Sequence, residues 1–131
     1  MKVAILGSRS ITSGSFVSTI LDKICFDYRI NITELVSGHS KKGVDNLAET
    51  WALLKGIPIK VFPAYWDVYG ISAEIIRNKT LIDYSEFLIA IWDGESRETQ
   101  YAFEYAISIK KPLVIYNTKE KNYVDVDNRQ P

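Results

Sequence analysis

The chain has 131 residues, of which 47% are hydrophobic and 24% charged, a balance typical of one globular domain with a full hydrophobic core. Its 16 basic and 16 acidic residues leave no net charge, so the overall charge does not favour nucleic acid or an anionic membrane as a partner. No apolar run approaches the length of about 20 residues that spans a bilayer. A single cysteine, Cys25, excludes an internal disulfide and a multi-cysteine metal site, and we expect a cytoplasmic protein without metal or cofactor.

Apolar runs alternate along the chain with stretches whose apolar residues recur at helical spacing. The runs predict strands over residues 2–7, 32–36, 57–62, 87–92 and 112–116. The helical stretches predict helices over residues 13–29, 43–55, 72–84 and 98–109. The remaining long connection, residues 64–71, is expected to be a loop.

Strands separated by helices predict right-handed βαβ crossovers and therefore an α/β fold. We expect a single three-layer Rossmann-like domain with a mostly parallel sheet of five strands. A chain that winds outward from its first strand and then returns to the other side gives the strand order 3-2-1-4-5. The domain is expected to cover residues 1–117, with the polar residues 118–131 as a C-terminal tail or edge element.

Three polar, glycine-bearing clusters, at residues 7–9, 37–43 and 93–99, directly follow the first, second and fourth predicted strands. The carboxyl ends of parallel strands meet at one edge of the sheet, where open α/β folds bind ligands. Glycines allow close backbone approach, and the N-termini of the following helices favour an anion. The predicted ligand-binding residues are Gly7, Ser8, Arg9, Ser37, Gly38, Gly43, Val44, Asp45, Arg77, Asn78, Asp93, Gly94, Ser96, Arg97 and Thr99.

The central expectation is that Arg9, Asp45 and Thr99 converge on one cavity after folding. Arg9 can offer its planar guanidinium to a phosphate or carboxylate, or can be a solvated side chain. Asp45 can orient a ribose hydroxyl, or can simply complement a helix dipole. The spacing of the third predicted helix leaves open which face Arg77 takes. The clusters match neither the Walker loop nor the Gly-x-Gly-x-x-Gly dinucleotide pattern.

Aromatic and histidine side chains in the loops add further alternatives. Tyr65 and Trp66 can form a lid that stacks on a base, or can cover the sheet edge as ordinary packing. His39 is the one histidine of the chain, and we expect it to be solvent-exposed.

In order along the chain, these motifs resemble those of the SLOG superfamily of Rossmann-like nucleotide-binding domains. The resemblance is greatest to its YspA/YpsA-related branch. The shared motifs are Gly-Ser-Arg at 7–9, the Ser-Gly to Gly-Val-Asp stretch at 37–45, Trp-Ala at 51–52, the aromatic-Pro-x-x-Trp stretch at 62–66, Arg-Asn at 77–78 and the Trp-Asp-Gly stretch at 92–99. Two positions depart from the pattern, because His39 and Glu98 stand where the family has glycines.

The resemblance implies a domain that binds a nucleotide or a nucleotide-derived small molecule, such as one related to ADP-ribose, as a sensor, carrier or sequestering protein. A related branch, the cytokinin-activating phosphoribohydrolases, implies an alternative, an N-glycosidase acting on a nucleoside monophosphate. That branch has an arginine that matches Arg77 and a glutamate whose position here holds Ala102. The catalytic candidates for this alternative are therefore Glu98, Glu104 and Arg77.

A third alternative is a DNA-associated module, because the DNA-processing protein DprA shares the superfamily fold, but the zero net charge argues against it. The residues leave the oligomeric state open, and relatives commonly form dimers through the helices that flank the sheet.

Overall fold

The computed structural model describes residues 1–126, in which five helices and a 3-10 turn alternate with six strands. The strands are β1 (Lys2–Gly7), β2 (Glu34–Ser37), β3 (Ile59–Val61), β4 (Phe87–Trp92), β5 (Leu113–Asn117) and β6 (Asn122–Val126). The helices are α1 (Gly14–Asp27), α2 (Val44–Lys55), α3 (Trp66–Tyr69), α4 (Ala73–Tyr84) and α5 (Arg97–Ser108), with the 3-10 turn at Gly70–Ser72.

The six strands form one sheet in the order β3-β2-β1-β4-β5-β6. The first five are parallel, and the predicted order 3-2-1-4-5 is confirmed. The predicted count of five is one too low, because β6 pairs antiparallel with β5. This strand lies within the polar segment 118–131 and lacks the apolar run that marks the other strands; residues 127–131 of that segment lie outside the described part of the chain.

The core consists of two apolar layers on the two faces of the sheet. Side chains alternate along β1, so that Val3 and Ile5 pack with α1 and α2, and Ala4 and Leu6 pack with α4 and α5. Strand β4 lies between β1 and β5 and is buried on both faces, as its unbroken apolar run predicts. Among the described residues, no helix has the length and apolar character needed to cross a membrane.

The connection predicted as a loop over residues 64–71 contains α3 and the 3-10 turn. These elements are short, and several of their apolar side chains are exposed, so they lack the buried stripe that identifies a helix in a sequence. Strand β3 is also shorter than the predicted range 57–62, because only Ile59–Val61 pair with β2.

Two glycines allow the loop after β1, residues 8–13, which we call the β1 loop, to lie directly against α2. A Cβ on Gly7 would come within 2.3 Å of the Ile91 carbonyl oxygen and 2.6 Å of the Val44 side chain. Gly43 has φ 79° and ψ −149°, a backbone conformation that is essentially restricted to glycine. A Cβ on Gly43 would lie 2.4 Å from the Arg9 Cα. These contacts fix the backbone of Arg9 relative to the start of α2.

We predict that Gly43→Ala lowers the free energy of unfolding by about 3 kcal/mol or more, because it combines backbone strain with a steric clash. Gly56→Ala is the matched control, since Gly56 also has a positive φ, 71°, but a Cβ there meets no atom within 4 Å. The control should lose only about 1 kcal/mol. Urea denaturation of both variants makes the comparison, and equal losses would contradict the close packing of the β1 loop on α2.

Candidate functional site

A groove with a volume of about 320 Å³ lies at the carboxyl ends of β1, β2 and β3. We call it the edge groove. Its polar wall comes from the β1 loop, from α4 and from residues 38–43 after β2, which we call the β2 loop. This wall consists of Arg9, Gly38, His39, Ser40, Lys41, Glu74 and Arg77. Its other wall comes from β3 and the segment that follows it, and consists of Val61, Pro63, Ala64 and Trp66.

The guanidinium of Arg77 forms the inner end of this groove. The sequence left open which face of α4 carries Arg77. In the structure Arg77 points inward and is only 8% exposed. Its Nη1 donates to the Gly38 carbonyl oxygen at 2.6 Å, and its Nε donates to Asn78 Oδ1 at 2.8 Å. Its Nη2 lies 3.6 Å from Glu98 Oε1. A Cβ on Gly38 would lie 2.9 Å from the guanidinium carbon, so glycine makes this approach of the β2 loop to α4 feasible.

Arg9 joins the same network from the other side. Its Nη2 donates to Glu74 Oε1 at 2.5 Å and lies 3.6 Å from Glu98 Oε2. Arg9, Glu74, Arg77 and Glu98 therefore form a cluster of two cations and two carboxyl groups, which we call the arginine–glutamate cluster. It connects the β1 loop, α4 and α5.

The two carboxyl groups of this cluster are close enough to perturb one another. Burial raises the pKa of Glu98, and the negative charge of Glu74 and a hydrogen bond between the two carboxyl groups raise it further. The positive charges of Arg9 and Arg77 act in the opposite direction but do not reverse the shift. The pair places two carboxyl groups side by side, and the raised pKa of Glu98 makes that carboxyl easier to protonate than an isolated glutamate would be.

The β2 loop holds His39 in a fixed position at the groove wall. His39 has φ 61°, a conformation that glycine adopts most readily. Its Nδ1 lies 2.9 Å from Glu49 Oε2. The buried Ser37 hydroxyl donates to the same oxygen at 2.7 Å and accepts the His39 backbone N–H at 3.0 Å.

Asp45 lies behind the β2 loop, only 7% exposed. Its Oδ2 accepts the backbone N–H of Ser40 at 3.2 Å and so holds the loop over the start of α2. Burial raises the pKa of Asp45 to about 6, although the Ser40 hydrogen bond and the positive charge of Arg77 lower it.

Residues 93–96 after β4, which we call the β4 loop, make hydrogen bonds within the loop and to the β1 loop, and none of them lines the edge groove. Asp93 Oδ1 accepts the backbone N–H groups of Glu95 and Ser96, and its Oδ2 accepts the Ser10 hydroxyl. The buried Ser8 hydroxyl accepts the Asp93 N–H at 3.0 Å, and Ser96 caps α5 by accepting the Thr99 N–H. The crevice between β1 and β4 is therefore bridged by hydrogen bonds, and the open volume lies over β1–β3.

Of Arg9, Asp45 and Thr99, which were expected to converge on one cavity, only Arg9 lines the edge groove. Asp45 lies behind its wall, and Thr99 is 3% exposed with its hydroxyl 3.2 Å from that of Ser96. Val44 is fully buried, and Arg97 is exposed on the first turn of α5.

Four further predicted residues fall around the margin of the site. Trp66 lines the edge groove, whereas Tyr65 lines a neighbouring cavity of about 300 Å³. Gly94 has φ 83° in the β4 loop. Glu104 is exposed and accepts a hydrogen bond from Gln100, outside the arginine–glutamate cluster.

Two carboxylates that the sequence does not single out, Glu49 and Glu74, contact His39 and Arg9. Glu49 follows Asp45 by four positions on α2, and Glu74 precedes Arg77 by three on α4. Residues three or four apart share a helix face. Each carboxylate could therefore have been found from its neighbour on the helix, Asp45 or Arg77, once that neighbour was assigned to the site. Within residues 1–126, no group of three or more His, Cys, Asp or Glu could hold a metal ion.

Comparison with known proteins identifies a family for this chain. The family model described as "YAcAr: YspA, cpYpsA-related SLOG family" matches residues 1–69, which include the β1 and β2 loops and Trp66 but not α4 or α5. No curated protein matches the chain.

One solved structure has a similar fold, the phosphoribosylglycinamide formyltransferase (purN) of Coxiella burnetii in complex with CHES. The similarity covers 88% of this chain and 50% of the other, with 13% sequence identity and a TM-score of 0.47. The chain thus spans half the length of that protein, and a likeness at this level bears on neither ligand nor activity.

We predict that Asp45→Asn stabilises the folded chain increasingly, relative to the natural chain, as the pH rises. Because the folded-state pKa of about 6 lies above the ordinary value of 3.8, the stability that protonated Asp45 contributes is complete below about pH 4 and is lost as the pH rises through 6. Asparagine keeps the acceptor for Ser40 without the buried charge. Relative to the natural chain, its free energy of unfolding should increase by about 2 kcal/mol between pH 4 and pH 7, measured by urea denaturation. A difference that does not change with pH would contradict a buried, proton-binding Asp45.

Proposed function

This chain belongs to the YspA, cpYpsA-related SLOG family, and we propose that it binds a nucleotide or a nucleotide-derived small molecule in the edge groove. The observation that carries the proposal is the pairing of an exposed cationic wall with an aromatic side chain across one cavity. A nucleotide presents an anionic phosphate, a hydroxyl-rich sugar and a planar base, and each of these parts requires a different kind of contact.

The cationic wall suits the phosphate. Arg9 is half-exposed although it pairs with Glu74, so part of its guanidinium remains accessible. Lys41 is exposed on the same groove, and lysine and arginine are the usual charged partners of phosphate. Arg77 is buried and already bonded to Gly38 and Asn78, so its role is to shape the inner end of the groove and to add positive charge there.

The remaining parts of a nucleotide also match groups on the groove. Glu74 offers a carboxylate that can accept hydrogen bonds from ribose hydroxyls. Trp66 is 53% exposed, so its ring is available for a base to stack against. The volume of about 320 Å³ lies at the small end of the range of roughly 300–1,000 Å³ for ligand sites, which favours a mononucleotide.

A larger ligand such as ADP-ribose would need more room than the edge groove provides. The neighbouring cavity shares Pro63 and Arg77 with the groove and is lined by Phe62, Tyr65 and Tyr69. Its volume of about 300 Å³ would have to take up the second half of such a molecule. Comparison of the affinities of the chain for AMP and for ADP-ribose therefore reports whether the ligand occupies the edge groove alone or both cavities.

We predict that calorimetry detects AMP binding and that Trp66→Ala weakens it about 10-fold, because stacking of a base on an aromatic ring is worth about 1–3 kcal/mol. Phe26→Ala is the matched control, since Phe26 is 84% exposed at the end of α1 and lies away from the groove. It should leave the affinity unchanged. Failure of AMP, ADP-ribose and related nucleotides to bind at millimolar concentration would contradict the proposal.

A second function, cleavage of the N-glycosidic bond of a nucleoside monophosphate, is favoured by the Glu74–Glu98 carboxyl pair. Such hydrolysis needs one group that protonates the leaving base and one that stabilises or attacks the ribosyl centre. The pair places two carboxyl groups side by side, with the pKa of Glu98 raised, although the resemblance puts the glutamate of the phosphoribohydrolases at the position of Ala102.

If the chain is such a glycosidase, chromatography should detect free base released from AMP. Glu74→Gln and Glu98→Gln should each lower the rate by about 100-fold or more, whereas Glu120→Gln, an exposed control in the turn between β5 and β6, should leave it unchanged. Base release that depends on Glu104 rather than on either member of the pair would contradict this assignment.

A further inference from the structure

His39, Ser37 and Glu49 form a closed hydrogen-bonded ring beside the edge groove. The His39 backbone N–H donates to Ser37 Oγ at 3.0 Å, and the Ser37 hydroxyl donates to Glu49 Oε2 at 2.7 Å. Glu49 closes the ring through the His39 side chain, whose Nδ1 lies 3.0 Å from Oε1 and 2.9 Å from Oε2. The side chain of Glu49 is only 14% exposed, whereas that of His39 is 60% exposed. A largely buried carboxylate therefore orients an accessible imidazole.

The ring determines which nitrogen of His39 can react. A carboxylate only accepts hydrogen bonds, so Nδ1 must carry the proton that it shares with Glu49. In the neutral imidazole, Nε2 then carries the lone pair. Among the described residues, none hydrogen-bonds to Nε2. An imidazole whose Nδ1 is held by a carboxylate is the usual arrangement of a histidine that acts as a base or a nucleophile.

The groups that share the edge groove with His39 match the needs of phosphoryl transfer. Arg9, Lys41 and Arg77 supply positive charge for the phosphoryl oxygens, and Glu74 is the member of the carboxyl pair that lines the same cavity. Together they comprise a nucleophile, cations and a carboxyl group. Neither the nucleotide-binding proposal nor the glycosidase alternative uses His39 or Glu49.

Extending the nucleotide site proposed above, on which this inference rests, we propose that the edge groove hydrolyses the phosphomonoester of its ligand, with His39 as the phosphoryl acceptor. Glu49 is a positioning residue that acts through His39. The substrate class is a nucleoside monophosphate or a similar phosphomonoester.

The reaction balances in two steps. In the first, the lone pair of Nε2 forms a bond to phosphorus while the bond from phosphorus to the ester oxygen breaks, and the departing oxygen takes a proton from the Glu74–Glu98 pair. In the second, a water oxygen attacks the phosphorus of phosphohistidine, the bond to Nε2 breaks, and the carboxyl pair recovers a proton from the water. The products are an alcohol and inorganic phosphate, and no oxidant or further reactant is needed.

The test measures inorganic phosphate released from AMP, together with AMP affinity by calorimetry. The natural chain should release phosphate, and His39→Gly should lower the rate by about 100-fold or more. Glycine suits the positive φ of this position, so the variant should fold and bind AMP. Added imidazole should restore part of its activity, because a free imidazole can occupy the space of the lost side chain. Acid-sensitive phosphohistidine should be detectable by ³¹P NMR in the natural chain only.

Glu49→Gln separates positioning from a structural role. It should lower kcat and leave KM unchanged, since it removes the charge that orients the imidazole without touching the cationic wall. Glu120→Gln is the exposed control and should leave both parameters unchanged.

The two proposals fail in distinguishable ways. If AMP binds but releases no phosphate, or if the release is insensitive to His39→Gly, the hydrolysis proposal is overturned and the binding proposal stands. If AMP and the other nucleotides neither bind nor react, both are overturned. Release of free base without phosphate would favour the glycosidase and also overturn hydrolysis by His39.

Discussion

The buried guanidinium of Arg77 is the interaction on which the arrangement of the site depends. A buried cation is costly unless its hydrogen bonds and charge are matched. Here the Gly38 carbonyl, the Asn78 side chain and the Glu98 carboxyl group supply those partners from the β2 loop, α4 and α5. Because these elements are remote in sequence, the need to satisfy a single side chain draws them to one end of the sheet. The edge groove is the space left beside that contact.

The same end of the sheet shows why the groove lies where it does. The order β3-β2-β1-β4-β5-β6 places the change of winding direction between β1 and β4, where ligands of open α/β folds commonly bind. In this chain Ser8 and Ser10 bond to Asp93 across that position. The accessible volume is therefore displaced towards β2 and β3, where the His39 side chain forms part of the groove wall.

Strand order and helix placement could be predicted from the sequence because they follow from the apolar pattern. The run at Phe87–Trp92 and the stripe of α2 are strong signals of this kind. Strand β6 and α3 could not be predicted, since β6 gains its stability by pairing with β5 and α3 buries none of its residues. At the site, the loops were predictable from glycines after strands. The pairing of Arg9 with Glu74 and of His39 with Glu49 was not, because it depends on the angle at which the helices cross the sheet edge.

An NMR titration of the isotopically labelled chain with AMP tests most directly whether this groove is the binding site. We expect the largest amide shift changes at residues 38–41, with a matching change at the indole N–H of Trp66. The opposite end of the sheet contains a larger cavity, of about 690 Å³, lined in part by Asp22, Asn31 and Lys55. Shift changes concentrated there, with residues 38–41 unaffected, would contradict the account.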